Sequence, residues 1–318
     1  MDISVLICTF NRADNLRLTL ERLAGVQAPA EVDWELVVVD NNSRDHTPAV
    51  CRDFAAILPI RHVEERRQGL SVARNRGIKE SRGGIIVYTD DDVNVEPGWI
   101  SALWRASQVH PEAGFFGGKV VPLWPETPPP WIVEYSRGML CGMTMDFNLG
   151  DEERYVEGND IFFGANMAYR REAILKVGPF REDLGVNGTS LISHDESEYM
   201  WRLLKAGYRG LYVPEMVVHH RNTPERMTER YMLRLFSACG ATHVRLGMIA
   251  PSAVELFNAP RYLWRRLASS SFAYLLRRLM PTHGNAWVPA ARYMAITWGS
   301  ISEYRRMAAE RSVAPPKD

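Results

Sequence analysis

Gly84-Ile85-Ile86-Val87-Tyr88-Thr89-Asp90-Asp91-Asp92 is the stretch on which the reading of this chain turns. A run of bulky apolar residues opened by Gly-Gly reads as a strand buried on both faces of a parallel sheet. In open α/β sheets ligands gather outside the carboxyl ends of the strands, so three carboxylates arrive where a ligand would be held. Adjoining negative charges at such a mouth call for a cation. Hard oxygen donors suit Mg²⁺ or Mn²⁺, which commonly bridge protein carboxylates to substrate phosphates. In an extended segment Asp90 and Asp92 point to one side and Asp91 to the other.

Outward from this stretch the first part of the chain alternates strand and helix: strands over 4–8, 35–39 and 60–63, helices over 15–24, 47–57 and 70–80. That alternation predicts an α/β fold with a mostly parallel sheet and flanking crossover helices. Pro97-Gly98-Trp99 opens a helix to about residue 109, and a strand follows over 114–121. The proline-rich 122–130 is expected to be irregular, within a variable, acceptor-facing insert over 124–160. Residues 162–169 read as extended, 171–177 and 196–206 as helices, and 210–213 and 216–219 as two short strands. From residue 225 the pattern is helical, to about 246, then over 252–279 and 290–310.

The chain has 318 residues, 46% hydrophobic and 24% charged, values of a globular protein rather than a disordered one. Its formal charge is zero, but from Thr223 onward there are 14 Lys/Arg against 6 Asp/Glu, leaving 24 against 32 before it. The acidic part is compatible with a metal-dependent site, and the basic, aromatic-rich tail suits an anionic surface. Arginine pairs at 265–266, 277–278 and 305–306 among Trp264, Phe272, Tyr274 and Trp298 suit peripheral membrane contact through C-terminal helices; a lid or dimer surface has the same composition. No nucleic-acid recognition motif accompanies them. Cys8, Cys51, Cys141 and Cys239 lie far apart without metal-binding spacing. With no signal-peptide pattern and no long apolar run, the expectation is a cytoplasmic protein, or one peripheral on the inner face of the cell membrane.

Five ordered motifs together resemble an inverting family 2 glycosyltransferase of the GT-A fold, in its bacterial form, over about residues 1–226. Val5-Leu6-Ile7-Cys8-Thr9-Phe10-Asn11-Arg12 is similar to that family's first strand and nucleotide-binding turn, and Val37-Val38-Val39-Asp40-Asn41-Asn42-Ser43 to its second. Gly69-Leu70-Ser71-Val72-Ala73-Arg74-Asn75 matches its Gly-x-x-x-Ala-Arg-Asn segment, and Asp90-Asp91-Asp92 its Asp-x-Asp motif. Asp195-Glu196, with Trp201-Arg202 and Gly207-Tyr208, matches its acidic pair and following helix.

The resemblance implies a catalytic domain over 1–225, divided into a nucleotide-sugar half (1–121) and an acceptor half (122–225), with a helical extension over 226–318. It implies donor contacts from Thr9, Asn11, Arg12, Asp40, Arg74, Asn75, Asp90 and Asp91, with Gly164 and Asn166 shaping the sugar pocket. Asp92 and His220 are expected to hold Mn²⁺ or Mg²⁺, with His219 the alternative histidine. The base that deprotonates the acceptor is expected at Glu196, with Asp195 close behind; the family's usual Glu-Asp order is reversed here. The reaction implied is direct displacement of a nucleoside diphosphate, UDP favoured, by a hydroxyl of a glycan, glycolipid or small molecule.

Other readings fit less well. Thr9-Phe10-Asn11-Arg12 stands where a dinucleotide-binding protein has Gly-x-Gly-x-x-Gly, and the Gly- and basic-rich loop of a nucleotidyltransferase is absent there too. A catalytically weak nucleotide-sugar binder or scaffold on the same fold is the remaining alternative.

Overall fold

The computed structural model describes residues 1–156, 160–188, 190–280 and 284–313. β1 (Ile3–Thr9), α1 (Ala13–Leu23), β2 (Trp34–Asp40), α2 (Thr47–Phe54), β3 (Ile60–Glu64), α3 (Leu70–Glu80) and β4 (Ile85–Asp90) alternate along the chain. The strands lie side by side in the order β3-β2-β1-β4, all parallel. Alternation of side chains explains why these runs are apolar throughout: Val5, Val38 and Val87 pack under α1 and α2, whereas Leu6, Val37 and Ile86 face Ala73 of α3. Register brings Cys8 level with Asp90 and Thr9 level with Asp40, so the polar strand ends share one edge of the sheet.

The sheet continues with β5 (Val93–Val95), α4 (Trp99–Val109), β6 (Ala113–Leu123), α5 (Pro130–Tyr135), α6 (Cys141–Thr144) and β7 (Arg154–Tyr155). After them come β8 (Met167–Arg170), α7 (Arg171–Val177), α8 (Asp195–Lys205) and β9 (Arg209–Arg221). Six of the nine strands run one way; β5, β7 and β8 oppose them, so the sheet is mixed but mostly parallel in direction.

Three local readings within the sheet change. The two short strands expected near the end of the acceptor half are one, β9, with a break in register against β6: Gly118 faces Val213 but Lys119 faces Val217. Pro214, lacking an N–H, lies in the break, where a strand tolerates proline. Gly118 is needed there because any Cβ would run into the backbone oxygen of Met216. The segment expected as extended over 162–169 instead turns through a short 3₁₀ helix, Gly164–Asn166, before β8. β6 runs on through Pro122 to Leu123 before the irregular stretch begins.

Beyond β9, α9 (Glu229–Arg245) leads to a small hairpin of β10 (Glu255–Leu256) and β11 (Ala259–Pro260), then α10 (Arg261–Leu279) and α11 (Trp287–Val313). The hairpin replaces the first turns of a helix expected from 252. Phe257 and Asn258 both take positive φ, 50° and 61°, the pattern of a tight two-residue β-turn. α9 and α11 approach closely: a Cβ on Gly240 would meet the Ile296 carbonyl and one on Gly299 that of Ser237. Phe236 of α9 and Val288 and Ile296 of α11 share a core with Ile132, Leu140 and Met143, so the insert is the seat of the C-terminal helices. No helix among the described residues is long and apolar enough to cross a membrane.

Candidate active site

At the carboxyl edge of the sheet a cavity of about 430 Å³ gathers Thr9, Arg12, Arg74, the three aspartates, Gly164, Asp195, Glu196 and His220. The strand pairing explains the histidine. β5 turns back from the triad and pairs with β9, setting Val93 opposite His220 and Asn94 opposite His219. Successive side chains point to opposite faces. His220 is therefore buried beside Asp92, with Nε2 3.3 Å from Oδ1, whereas His219 points away to Glu96 at 2.6 Å.

The triad divides its work. Asp91 turns inward, accepting from the Thr9 hydroxyl at 2.7 Å and pairing with Arg12 at 3.0 Å. Arg12 also donates to Asp92 Oδ2 at 2.7 Å. The Thr9 hydroxyl and the Arg12 guanidinium thus hold the triad in shape. Burial, with Asp92 alongside, pushes Asp90 up to about 6, and burial pushes Asp91 up to about 7 against the pull of Arg12. Burial works against Asp92 too, but His220 and Arg12 hold it below the usual carboxylate range. Burial pushes His220 down to about 4, so its ring is neutral near pH 7.

Asp92 Oδ1 and His220 Nδ1 are buried without hydrogen-bond partners. Ligand atoms of Asp90, Asp92 and His220 lie within 4.8 Å of one another. An orphaned carboxylate oxygen beside a neutral imidazole, in a site with surplus negative charge, suits a divalent cation of the Mn²⁺ or Mg²⁺ kind.

The second acidic centre opens α8. His194 takes the left-handed conformation at φ 68° just before the helix, and Asp195 and Glu196 follow in its first turn. Asp195 is buried, ion-paired to Nη1 of Arg74 and 3.3 Å from the Ser71 hydroxyl. Burial raises its pKa, but Arg74 together with hydrogen bonds from Glu196, the backbone and Ser71 holds it low. Glu196 stands 3.8 Å from the same guanidinium, and burial with Asp195 beside it pushes its carboxyl up to about 8. Two adjacent carboxyls with pKa values driven apart is the arrangement that separates an ion-pair partner from a proton acceptor.

Arg74 reaches this position from α3, packed between the rings of Tyr88 and Phe180 at 5.9 and 5.6 Å. Gly164 is the residue that leaves room for it, because a Cβ there would strike Nη2. Arg74 is thus committed to the acidic pair. Cys8 also lines the cavity, and burial pushes its thiol up to about 12.

Four residues expected at the donor do not line this cavity. Asp40 is buried at its strand end, accepting from the Ser43 N–H at 2.8 Å and lying 3.4 Å from His62. Despite the upward push of burial, these partners hold its carboxyl below the usual range. Asn11 bonds across to the next loop, accepting from the Arg44 N–H at 2.7 Å. Asn75 exchanges hydrogen bonds with the Phe180 backbone at 2.8 and 3.0 Å, bracing α3 against the loop after α7. Asn166 accepts from Trp99 Nε1 and donates to the carbonyls of Lys119 and Met216, leaving its amide fully used behind the pocket wall.

Residues that the motifs did not single out line the cavity as well. Asn41 lines the cavity and accepts from Gly69 N–H at 2.8 Å, joining the end of β2 to the start of α3. Arg226 enters just after β9, donating to the Met143 carbonyl at 3.0 Å with its guanidinium 5.5 Å from the Tyr231 ring. Tyr231 and Leu235 of α9 complete that wall. The signal for Arg226 was its nearness in sequence to His220; for the α9 residues there was none. A shallower groove of about 520 Å³ lies between α9, α11 and residues 190–192, and Leu191 borders both it and the cavity.

The family model for Glycosyl transferase family 2 matches residues 4–178. A glucosyl-dolichyl phosphate glucuronosyltransferase of Haloferax volcanii is 27% identical over 225 residues, 70% of this chain and 69% of that protein. The succinoglycan biosynthesis protein ExoM of Rhizobium meliloti is 23% identical over 262 residues, 77% and 75% of the two chains. Among solved structures, the mannosyltransferase PcManGT of Pyrobaculum calidifontis, in complex with GDP-Man and Mn²⁺, aligns with a TM-score of 0.54 at 22% identity, over 99% of this chain and 81% of that one. The 1–349 segment of TarS from S. aureus, in complex with UDP-GlcNAc, gives 0.54 at 14% identity, over 97% and 92%. These two likenesses establish a shared GT-A fold.

Proposed function

The chain belongs to glycosyl transferase family 2 and is a glycosyltransferase, and from that premise we propose that it moves a sugar from a nucleoside diphosphate to an acceptor hydroxyl with inversion. The observation that carries this is the pairing, in one cavity, of an acidic cation site with a raised, unclamped carboxyl: Asp90, Asp92 and His220 on one hand, Glu196 on the other.

Glu196 takes the proton from the acceptor hydroxyl as that oxygen bonds to the anomeric carbon. The bond from that carbon to the diphosphate oxygen breaks, and its electron pair leaves with the diphosphate. Asp195, fixed by Arg74 and Ser71, holds the first turn of α8 so that its neighbour keeps its aim. Arg12 keeps Asp91 and Asp92 in register, and Arg226 brings a further cation to the side of the cavity toward α9. Asp92 and His220, with Asp90 beside them, would hold a Mn²⁺ or Mg²⁺, which would neutralise charge on the departing diphosphate.

UDP is the favoured nucleotide, with Asp40, Asn11 and Asn75 acting at one remove by shaping the strand-end loops. The catalytic unit is placed in 1–225, with the helices of 226–318 lending a wall. The acceptor favoured is membrane-borne, in keeping with the dolichyl phosphate in the name of the Haloferax relative, and the location that goes with it is the cytoplasm, peripheral on the inner face of the cell membrane.

Nucleoside-diphosphate release from a panel of UDP-, GDP- and TDP-sugars, with Mn²⁺ or Mg²⁺, tests the proposal against the Asp92→Ala variant. Cation-dependent release from one donor, lost in the variant, is the expected result. Release that survives Asp92→Ala, or binding of donor without turnover on any acceptor offered, would count against it.

A further inference from the structure

α10 is packed on one side and bare on the other. Its inner face buries Leu263 and Ser270, and the Tyr274 hydroxyl donates to Glu229 at the start of α9. On its outer face Phe272 is 68% exposed, Leu275 55%, Leu276 43% and Leu279 79%. These four stand at i, i+3, i+4 and i+7, one stripe of a helix with a turn of about 3.6 residues. Earlier turns of the same stripe carry Arg261 and Arg265. The helix holds five arginines and no Asp or Glu. In the hairpin just before it Phe257 is 69% exposed and packs edge-on against Trp264 at 5.8 Å.

A continuous apolar stripe left in water marks a contact surface. Its cations decide among occupants. Arg266 and Arg278 turn inward onto the Tyr293 and Trp287 rings, but a second copy laid face to face would still set Arg261 and Arg265 on a helix that offers them no acid, which leaves their charge unanswered. An anionic bilayer answers both features at once, since side chains such as Phe and Leu enter the acyl boundary while arginines stay among the phosphates.

We infer that the outer face of α10, with Phe257 of the hairpin, is the surface by which the protein lies on an anionic membrane. Phe272, Leu275, Leu276 and Leu279 enter the interface and Arg261 and Arg265 meet its headgroups. The inference deepens the membrane-borne acceptor reading and takes its purpose from it, though the docking itself is read without turnover. The inner face of α10 is tied to Glu229, two residues before Tyr231, so the anchoring helix and a wall of the cavity are one mechanical unit.

Co-sedimentation of the full chain tests this with vesicles of phosphatidylcholine alone and with about one third phosphatidylglycerol. Wild type is expected to sediment with the anionic vesicles and to be released by salt. Leu276→Glu with Leu279→Glu weakens that binding by about tenfold or more, and Arg261→Glu with Arg265→Glu does so on anionic vesicles. Both variants keep the wild-type melting temperature and nucleotide binding, because the altered side chains face solvent. No sedimentation of wild type, or equal sedimentation of the Leu variant, overturns the inference. A wild-type dimer in sedimentation velocity that the Leu variant dissolves also overturns it, giving the stripe to a second copy. Docking without sugar transfer leaves the surface standing and fails the proposed function; transfer to a soluble acceptor without docking does the reverse.

Discussion

Asp195 and Glu196 are chemically near-identical neighbours that differ in one partner. Arg74 fixes the first and only grazes the second. Replacing Glu196 by Gln should lower turnover by about 10²- to 10⁴-fold with nucleotide affinity kept. A base must be ionised to act, so kcat/KM of wild type should climb as pH rises through about 8 and then level. A profile flat from pH 6 to 9 would remove Glu196 from the role. The same shift has a cost in stability. The folded chain binds this proton up to about 8, the unfolded one only to its ordinary 4.5, so the carboxyl weakens the fold increasingly as pH rises between them. Glu196→Gln should therefore melt higher than wild type at pH 8.5, by roughly 2–4 °C, and alike near pH 4. A lower melting point for the variant at pH 8.5 would contradict the assignment.

Elements decide which of two equal-looking residues is functional. The pair His219-His220 could be read as alternating, but not which of the two faced the cavity; that depends on the partner strand, and β5 is a three-residue strand with little pattern of its own. With Mn²⁺ and nucleoside diphosphate present, a thermal-shift assay should show cation-dependent stabilisation of several degrees for wild type and His219→Ala, and none for His220→Ala. Equal loss in both variants would point to a general weakening of β9. The parallel strands and their helices were legible because each was a local pattern: β-branched runs, a Gly before α3, a Pro-Gly before α4. Tyr231 and Leu235 were not, since they reach the cavity only because α9 sits on Ile132 and Met143 of the insert, a contact across about ninety residues that no local period encodes. Asn75 and Asn166 fell in motif segments, yet a buried amide is as readily consumed by neighbouring backbone as by a ligand.

The whole molecule is an acidic sheet carrying basic C-terminal helices, and those helices share a tight seam of their own. Gly240 and Gly299 let α9 and α11 touch backbone to backbone, and Gly240→Val should force them apart at a cost of about 1–3 kcal/mol. Chemical denaturation reads that loss, and an unchanged midpoint would mean that the seam gives way freely. The four cysteines bear on the molecule in another way. All are free, with Cys8 and Cys51 pushed up to about 12, Cys239 to about 11 and Cys141 raised as well, in each case chiefly by burial. At pH 7.5 only about one Cys8 in thirty thousand is thiolate, the form that alkylating reagents attack. Iodoacetamide should leave the mass of the folded protein unchanged while modifying all four sites after denaturation. On that result the natural chain is a silent background for spectroscopy: a single cysteine engineered on α10 or at the rim of the cavity would carry the only fluorophore or spin label, with no native thiol removed.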